Sequence, residues 1–443
     1  MRRALTQALL ALPRLAGTAP APRGRSDVGS PWFGRRAAAG VAALALAAAC
    51  ARGDGDASGA SRAAAGAPPT LTEELDDDAS DLASPTEAGA AGPEAAPAPG
   101  TKRAQLVLLA GGDVNLGREV GQRLLADADY DPLGDLAPLL ARADLTFVNL
   151  ESVLSDQQGE TQSPRNRLVF TGPPEGGRAL ARAGIDLVSL ANNHAWDYGR
   201  SALFQTFASL EDAGVAYVGA SRTPRTQYEP SVIRVKGWSV AFFAVTHIWN
   251  QGAFGEHDGR HHVAWAAFDE LRPHLRQARQ QHDLVLVSYH GGAEYSPTIM
   301  QWTREFVRAL MGAGVDAVLG HHPHVPQAVG WIGGKPVFHS LGNLVFAMHS
   351  DHPWTGTSFM ARLTFHHDGA LEAEACPYHI LGHRPRLFEG KTRVPRERQL
   401  RSHLVQISKT AGGTGVAEPG EQSCMRLTPP SRRGAATAPG ANP

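Results

Sequence analysis

The stretch "LARAGIDLVSLANNH", residues 180–194, contains each part of the unit that decides the fold. A helical pattern ends at a glycine, an aspartate and an apolar run follow, and the run ends in two asparagines and a histidine. The same order, with an alanine or a glycine at the helix end and a different polar cluster after the strand, recurs in "LLARADLTFVNLE" (139–151) and "LMGAGVDAVLGHHPH" (310–324). A helix end that leads directly into an apolar strand, several times over, is typical of an α/β fold.

Further runs of this kind extend the pattern. The predicted strands are 104–112, 144–150, 185–191, 239–246, 283–289, 316–320 and 335–341, and the predicted helices are 136–143, 176–184, 200–214 and 301–314. Strands that are apolar throughout, rather than alternating, indicate burial on both faces. The sequence therefore predicts an α/β protein in which helices cover the sheet.

Composition predicts one large domain, residues 104–407, between two polar segments. Residues 51–103 and 408–443 are rich in Ala, Gly, Pro, Ser and Thr. Such segments bury too little apolar surface to offset the entropy of ordering, so we expect a disordered linker and a disordered tail.

The N-terminal segment, residues 1–50, indicates export. The run "GRRAAAGVAALALAAAC" places two arginines before a short apolar core that ends at Cys50. This is the pattern of a secretory signal, and a cysteine after Ala-Ala resembles a bacterial lipoprotein site. We expect a lipid on Cys50 to hold the protein to the membrane; an ordinary signal peptide or an uncleaved anchor are the alternatives. Cys376 and Cys424 could pair outside the cytoplasm, but the position of Cys424 in the predicted tail disfavours a disulfide.

Charge argues against nucleic acid as a partner. The chain has 42 Lys and Arg against 43 Asp and Glu, a formal net charge of −1. Binding to phosphate backbones needs a concentrated basic face, and no block of like charge here exceeds a few residues.

Polar side chains cluster where the predicted strands end. They are Asp113, Asn115, Asn149, Glu151, Asn192, Asn193, His194, His290, His321, His322, His324, His339 and Asn343. Sites in α/β sheets assemble at the carboxyl ends of strands. A mixed set of carboxylate, amide and imidazole groups suits divalent transition metals, and burying it without a shared ion is costly. We therefore predict one or two divalent ions, for which Mn, Fe, Zn and Mg all remain candidates.

The motifs "GDVNLGR", "NLES", "SLANNHAWDYG", "SYHGGAEY", "GHHPHVPQ" and "HSLGNLVF", in this order, resemble the CapA family of poly-γ-glutamate capsule proteins. That family belongs to the calcineurin-like metallophosphoesterase superfamily. The resemblance covers about residues 104–350. It implies a layered α/β/β/α sandwich with a two-metal centre.

The resemblance also implies roles for individual residues. Asp113 and His324 would bind the first metal, Glu151 would be shared, and the second metal would be bound by Asn193, His290 and His322. Asn115 stands where the superfamily usually has a histidine, and an amide oxygen is a weaker ligand.

His194 follows the ligand Asn193 and is expected to face the substrate as a general acid. Asp197, three residues on, would orient it. The remaining polar residues are expected to orient ligands or to contact substrate: Asn115, Asn149, Asn192, His321, His339 and Asn343.

Three functions stay open on this reasoning. The first is a metal-dependent hydrolase of the cell envelope that acts in biosynthesis or anchoring of a poly-γ-glutamate-type capsule. The second is a non-catalytic envelope protein that binds or anchors the polymer, and the third is a secreted nucleotidase. The expected partners are an anionic polymer or a phosphoester, the membrane and other capsule-assembly proteins. Arg118, Arg165 and Arg167 are the candidate attractants for an anion.

Overall fold

The structure, a computed structural model, describes residues 103–348 and 352–430. Two large β-sheets stack face to face in this range, and helices cover their outer faces. The expected α/β/β/α sandwich is therefore confirmed. Cys50, the predicted export segment, nearly all of the predicted linker and residues 431–443 lie outside the described residues.

The first sheet has ten strands in the order β17-β18-β15-β14-β1-β2-β5-β6, with β13 beside β1 and β16 beside β15. The strands are β1 (Leu106–Val114), β2 (Leu145–Leu150), β5 (Leu187–Ser189), β6 (Ala216–Val218), β13 (Asn343–Val345), β14 (Thr357–Phe365), β15 (Leu371–Leu381), β16 (Arg384–Leu387), β17 (Gly415–Val416) and β18 (Met425–Thr428). Strands β1, β2, β5 and β6 run parallel, and β14, β15, β18 and β17 extend the sheet antiparallel.

The second sheet has six strands in the order β11-β12-β10-β9-β8-β7. They are β7 (Ser231–Val235), β8 (Trp238–Thr246), β9 (Leu284–His290), β10 (Ala317–His321), β11 (Val329–Ile332) and β12 (Lys335–Phe338). The four inner strands are parallel, and both edge strands are antiparallel. A separate short pair joins β3 (Val153–Leu154) and β4 (Thr171–Gly172).

Seven helices surround the sheets: α1 (Arg118–Ala126), α2 (Ala137–Leu140), α3 (Gly176–Arg182), α4 (Gly199–Ala213), α5 (Phe268–Gln281), α6 (Gln301–Gly312) and α7 (Arg393–Ser408) among the described residues. Helices α1–α4 pack on the outer face of the first sheet, and α5 and α6 on that of the second. Helix α7 packs into the core between the sheets through Leu400, Leu404 and Ile407. No helix in the described ranges combines the length and the hydropathy needed to cross a membrane.

The alternation of side chains along each strand explains why the strands are apolar throughout. Phe147 of β2 faces inwards and stacks on Phe242 of β8 with ring centroids 5.6 Å apart. Its neighbour Val148 faces outwards, into the cluster formed with α3 and α4. Because successive side chains point to opposite faces and both faces are covered, both sets are predominantly apolar.

The aspartate that precedes several strands also has a structural role. Asp186, directly before β5, accepts a hydrogen bond through Oδ2 from the backbone N–H of Thr146 in β2 at 2.7 Å. Asp144, Asp283 and Asp316 make the same bond to the strand beside their own, at 2.8–2.9 Å. These carboxylates satisfy backbone donors at the amino-terminal edges of both sheets.

The prediction of a disordered tail from residue 408 is wrong for residues 408–430. Strand β18 pairs with β15, and β17 pairs with β18. Cys424 forms a disulfide with Cys376 of β15, so the expectation that these cysteines are unpaired is also wrong. The polar composition misled because only a few residues of this segment are buried, among them Val416, Met425 and Leu427.

Candidate metal centre

The predicted site residues meet where the carboxyl ends of the central strands of both sheets come together. Asp113 lies near the end of β1, Glu151 directly follows β2, and His290 and His321 are the last residues of β9 and β10. A hydrogen bond crosses between the sheets at this point, from the backbone N–H of His322 to Asp113 Oδ2 at 3.2 Å. The site is therefore built by both sheets jointly.

Two glycines allow the strands to approach closely here. A Cβ atom at Gly112, before Asp113, would lie 1.9 Å from the carbonyl oxygen of Gly342. One at Gly320, before His321, would lie 2.1 Å from the carbonyl oxygen of His339. Any larger residue would push the neighbouring segments apart and displace the polar side chain that follows.

Two groups of side chains have the arrangement that a metal ion requires. Glu151, His290 and His322 form one group, and Asp113, Glu151 and His324 form the other; within each group the ligand atoms lie within 4.8 Å of one another. Glu151 belongs to both groups. This division is the one that the sequence resemblance implies.

The distances inside the groups are close to, but not equal to, those between atoms that share one ion. Asn193 Oδ1 lies 2.7 Å from His290 Nε2, and Glu151 Oε1 lies 3.6 Å from the same nitrogen. Across the shared residue, His324 Nε2 lies 3.9 Å from Glu151 Oε1. Ligand atoms about 2.1 Å from one ion lie about 3–3.5 Å from each other, so small shifts would complete both shells.

The carboxylate of Glu151 is buried without a hydrogen bond from any described residue. The residue is 0% exposed, and neither of its carboxylate oxygens accepts a hydrogen bond. Burial, together with the charge of Asp113, raises its pKa well above the ordinary value. A divalent cation would stabilise the ionised form that burial disfavours. This buried acid without a hydrogen bond is the observation that fits a metal most directly.

The histidines of the two groups are held neutral. Burial, with a smaller effect of nearby histidines, lowers the pKa of His290 well below its usual range, and burial lowers that of His322 to about 3. The pKa of His324 is also lowered, again chiefly by burial. A neutral imidazole keeps the lone pair that a metal ligand needs.

The pKa of Asp113 is shifted in the opposite direction from that of Glu151. Burial raises its pKa, but contacts with His321, His324 and Asn149 outweigh that effect and hold it below the ordinary value. Its Oδ1 accepts a hydrogen bond from Asn149 Nδ2 at 2.9 Å and lies 3.3 Å from His321 Nδ1. The acid therefore stays ionised, as a ligand must.

Several of the remaining predicted residues orient the ligands. Asn343 Oδ1 lies 2.9 Å from His324 Nδ1, which directs the other ring nitrogen towards Glu151. Asn192 donates from Nδ2 to the carbonyl oxygen of Leu150 at 2.8 Å and to Asn149 Oδ1 at 3.3 Å. Fixing a ligand through a second contact of this kind sets its geometry before an ion arrives.

The loop that carries two of the histidines is backbone-strained. His322 and His324, on either side of Pro323, have φ angles of 94° and 57°. Residues with a side chain rarely adopt this left-handed region, and such strain is concentrated at functional sites. The sequence "HHPH" contains no signal for it.

His194 and Asp197 form a buried pair beside the metal groups. His194 Nδ1 lies 2.9 Å from Asp197 Oδ2, and the His194 ring stacks on Phe170 with centroids 4.1 Å apart. His194 directly follows Asn193, whose Oδ1 lies 2.7 Å from His290 Nε2, so the pair adjoins one of the two groups.

Two of the predicted residues make contacts outside the two ligand groups. The Asn115 oxygen accepts a hydrogen bond from the backbone N–H of Gly117 at 2.7 Å, which engages the atom proposed as a ligand. His339 is buried, with Nε2 close to Gly330 of β11 and its pKa lowered to about 3 by burial and then by Arg304. A role for His339 beside the metal or the substrate stays a prediction.

Arg118 is placed more specifically than its sequence position suggested. Its guanidinium lies over the rings of Phe170 and Phe346, at 4.8 and 5.8 Å from their centroids. Phe170 contacts His194 on one side of the site, and Phe346 contacts His324 on the other. The cation is thus held at the mouth of the cluster, where its field reaches Glu151.

The fold and the site together define an α/β/β/α protein with two groups of candidate metal ligands that share one acid. The family model for the bacterial capsule synthesis protein PGA_cap matches residues 107–348, more than half of the chain. The chain belongs to this family.

Two relatives of known name resemble the chain. Capsule biosynthesis protein CapA of Bacillus anthracis is 28% identical over 276 residues, which cover 61% of this chain and 66% of the relative. PGA biosynthesis protein CapA of Bacillus subtilis (strain 168) is 28% identical over 257 residues, 58% of this chain and 66% of the relative. The matches thus span just under two thirds of these relatives.

Among solved structures, a putative 5'-nucleotidase from Staphylococcus aureus matches with a TM-score of 0.38 and 14% identity, over 68% of this chain and 59% of that one. A likeness this distant does not assign a function.

Proposed function

We propose that this protein is a metal-dependent hydrolase of the cell envelope that takes part in biosynthesis or anchoring of a poly-γ-glutamate-type capsule polymer. The observation that carries the hydrolase proposal is Glu151, a fully buried carboxylate without a hydrogen bond that is shared by two groups of candidate metal ligands. The polymer is proposed from the family and from the names of the relatives.

The chain would hold the ions through the residues already described. Asp113, Glu151 and His324 would form one site, and Glu151, His290, His322 and Asn193 the other. When bound, divalent ions supply Lewis-acid stabilisation of the charge that develops on the attacked group.

His194 would manage the proton of the leaving group. Asp197 engages Nδ1, which leaves Nε2 as the ring nitrogen free for a substrate. A proton held at Nε2 would pass to the leaving oxygen or nitrogen as its bond breaks, a contribution of about 10²–10⁴ in rate for a well-placed acid.

Arg118 would bind the anionic substrate at the mouth of the site. Its ring contacts with Phe170 and Phe346 restrict its side chain, so the charge is preorganised for a carboxylate or phosphate oxygen. This arrangement suits a chain that carries one negative charge per unit.

Export is supported by the disulfide between Cys376 and Cys424, because such bonds persist in oxidising compartments. The lipid on Cys50 remains a prediction from the sequence.

The hydrolase proposal is tested by turnover of bis(4-nitrophenyl) phosphate and of a γ-linked glutamate decamer. Full-length protein would be treated with EDTA and then reloaded with Mn²⁺. We expect activity on at least one substrate that depends on the metal and is lost in His194→Ala. His366→Ala, which removes a histidine paired to Glu372 far from the site, is the matched control. Turnover that is absent, or equal in His194→Ala and wild type, would refute catalysis by this site.

A non-catalytic polymer-binding protein is the second candidate, and one observation favours it. The Asn115 oxygen is engaged by Gly117, so the Asp113 side of the centre has one fewer free ligand than the other side. Binding of the decamer without any turnover would support this alternative.

A further inference from the structure

A cavity of about 810 Å³ adjoins the candidate metal centre at the carboxyl end of β8. His247, the first residue after β8, lines the cavity and donates its backbone N–H to the carbonyl oxygen of His290 at 2.9 Å. Gln251, in the loop that follows, donates from Nε2 to Asp197 Oδ1 at 3.2 Å. The wall of the cavity is thus bonded to a proposed ligand through His247, and Gln251, between the lining residues Trp249 and Gly252, is bonded to the proposed proton-transfer pair.

Aromatic rings form much of the lining. Phe254 and Trp265 stack on each other with centroids 4.5 Å apart and an angle of 18°, and Trp249 meets Phe254 edge-on at 5.0 Å. Because these rings pack on one another, they do not form two open faces between which a nucleobase would insert. They instead offer a continuous apolar surface of the size typical of ligand sites, which run to about 300–1,000 Å³.

Two arginines line the cavity on adjoining loops. The backbone N–H of Arg225 donates to the carbonyl oxygen of His261 at 3.0 Å, and Gln227 Nε2 donates to that of Arg260 at 3.0 Å. Within residues 103–348 and 352–430, no carboxylate lies within ion-pair distance of either guanidinium. Glu270 is the only acid in the lining, so the cavity attracts anions.

Three lining residues carry buried polar atoms that lack a hydrogen-bond partner within the described part of the chain. They are Gln227 Oε1, His247 Nδ1 and Trp249 Nε1. A buried polar group without a partner destabilises the protein unless a ligand supplies the missing hydrogen bond. The first atom accepts and the third donates, so together they complement an amide, which has one N–H and one C=O.

We propose that this cavity binds a stretch of an acidic polyamide, a γ-linked glutamate chain, next to the metal centre. Carboxylates of successive units pair with Arg225 and Arg260, and the methylene groups pack on the aromatic rings. With small side-chain rotations, an amide of the chain bonds to Gln227 and Trp249. The inference rests on the proposed function in that the polymer is the same one.

The test measures binding of a γ-linked glutamate decamer to full-length protein by calorimetry, in a His194→Ala background that prevents turnover. The variant is Arg225→Gln with Arg260→Gln. The matched control is Arg308→Gln with Arg398→Gln, two exposed arginines on α6 and α7. We expect the cavity variant to weaken binding at least tenfold and to reduce its salt dependence, while the control changes affinity less than twofold.

Three results would overturn the inference: no binding of the decamer, equal weakening in both double variants, or displacement of the decamer by AMP at lower concentration than by free decamer. Failure of the hydrolase proposal is separate. The hydrolase proposal is tested by metal-dependent turnover of bis(4-nitrophenyl) phosphate in protein with His194 intact. This substrate is too small to need the cavity.

Discussion

The Nδ1 atom of His194 and the Oδ2 atom of Asp197 lie 2.9 Å apart in a buried pair. Asp197 is fixed from two further sides, by the backbone N–H of Phe170 at 3.0 Å and by Gln251 Nε2 at 3.2 Å. The carboxylate is therefore oriented before any substrate binds, and it fixes the imidazole in turn. This relationship fixes the orientation of the His194 ring, which also stacks on Phe170.

Asp197→Asn should lower kcat by about tenfold or more and leave KM and metal content nearly unchanged, because a positioning residue acts only through the residue that it orients. The double variant with His194→Ala should be no slower than His194→Ala alone, since the two side chains act as one unit. Steady-state kinetics of the four proteins measure this. Additive losses would show that Asp197 acts independently of His194.

Glu151→Gln should have opposite effects on metal content and on the stability of the metal-free protein. Loss of the shared ligand removes bound metal, measured by elemental analysis. Because burial raises the pKa of Glu151, the neutral amide should increase the free energy of unfolding in EDTA at neutral pH by about 1–3 kcal/mol. Asp113→Asn is the matched comparison, and we expect it to destabilise, since the pKa of Asp113 is lowered. Destabilisation by both changes would contradict the assigned environment of Glu151.

The stabilisation by metal should increase with pH. The pKa of Glu151 lies well above its ordinary 4.5 in the metal-free fold, so its contribution to stability is complete below pH 4.5 and is lost as pH rises through the folded value. A divalent ion bound to the ionised Glu151 carboxylate would offset this loss of stability. The rise in Tm on adding Mn²⁺ should thus be larger at about pH 8 than at about pH 5.5.

His322 adds nothing to this trend, because its pKa of about 3 leaves it neutral at both pH values. Thermal unfolding of wild type and Glu151→Gln, with EDTA or Mn²⁺, measures the effect. An equal metal-induced shift at both pH values in the wild type would count against Glu151 as a ligand.

The disulfide between Cys376 and Cys424 should contribute about 2–4 kcal/mol to stability, because it closes a loop between residues separated by 48 positions. Cys424→Ser and truncation after residue 407 should both lower Tm, and truncation more, since it also removes β17 and β18. Cys50→Ser is the control and should leave Tm unchanged. A truncated protein as stable as wild type would show that β17 and β18 are dispensable.

The central strands could be predicted because a strand that is buried on both faces has a largely unbroken apolar sequence. "LTFVNL" in β2 places Phe147 between the sheets and Val148 under the helices, and no polar residue fits either place. Strand β18 escaped prediction because its order comes from pairing with β15 and from the bond to Cys376, which are contacts across the chain. Neither the pairing with β15 nor the disulfide can be predicted from the composition of residues 408–430.

The location of the site could also be predicted from the strands, but the orientation of individual side chains could not. Strand ends converge, so Asp113, Glu151 and His290 could be expected together. The use of the Asn115 oxygen by Gly117, the left-handed backbone of His322 and the direction of His339 depend on local geometry that residue types do not specify.

The most direct test of the account is elemental analysis of full-length protein purified without chelator, beside Glu151→Gln. We predict one to two equivalents of a divalent transition metal per chain in the wild type and less than a tenth of that in Glu151→Gln. Wild-type protein with well under one equivalent, or with a content that Glu151→Gln leaves unchanged, would contradict a metal centre built on this shared acid.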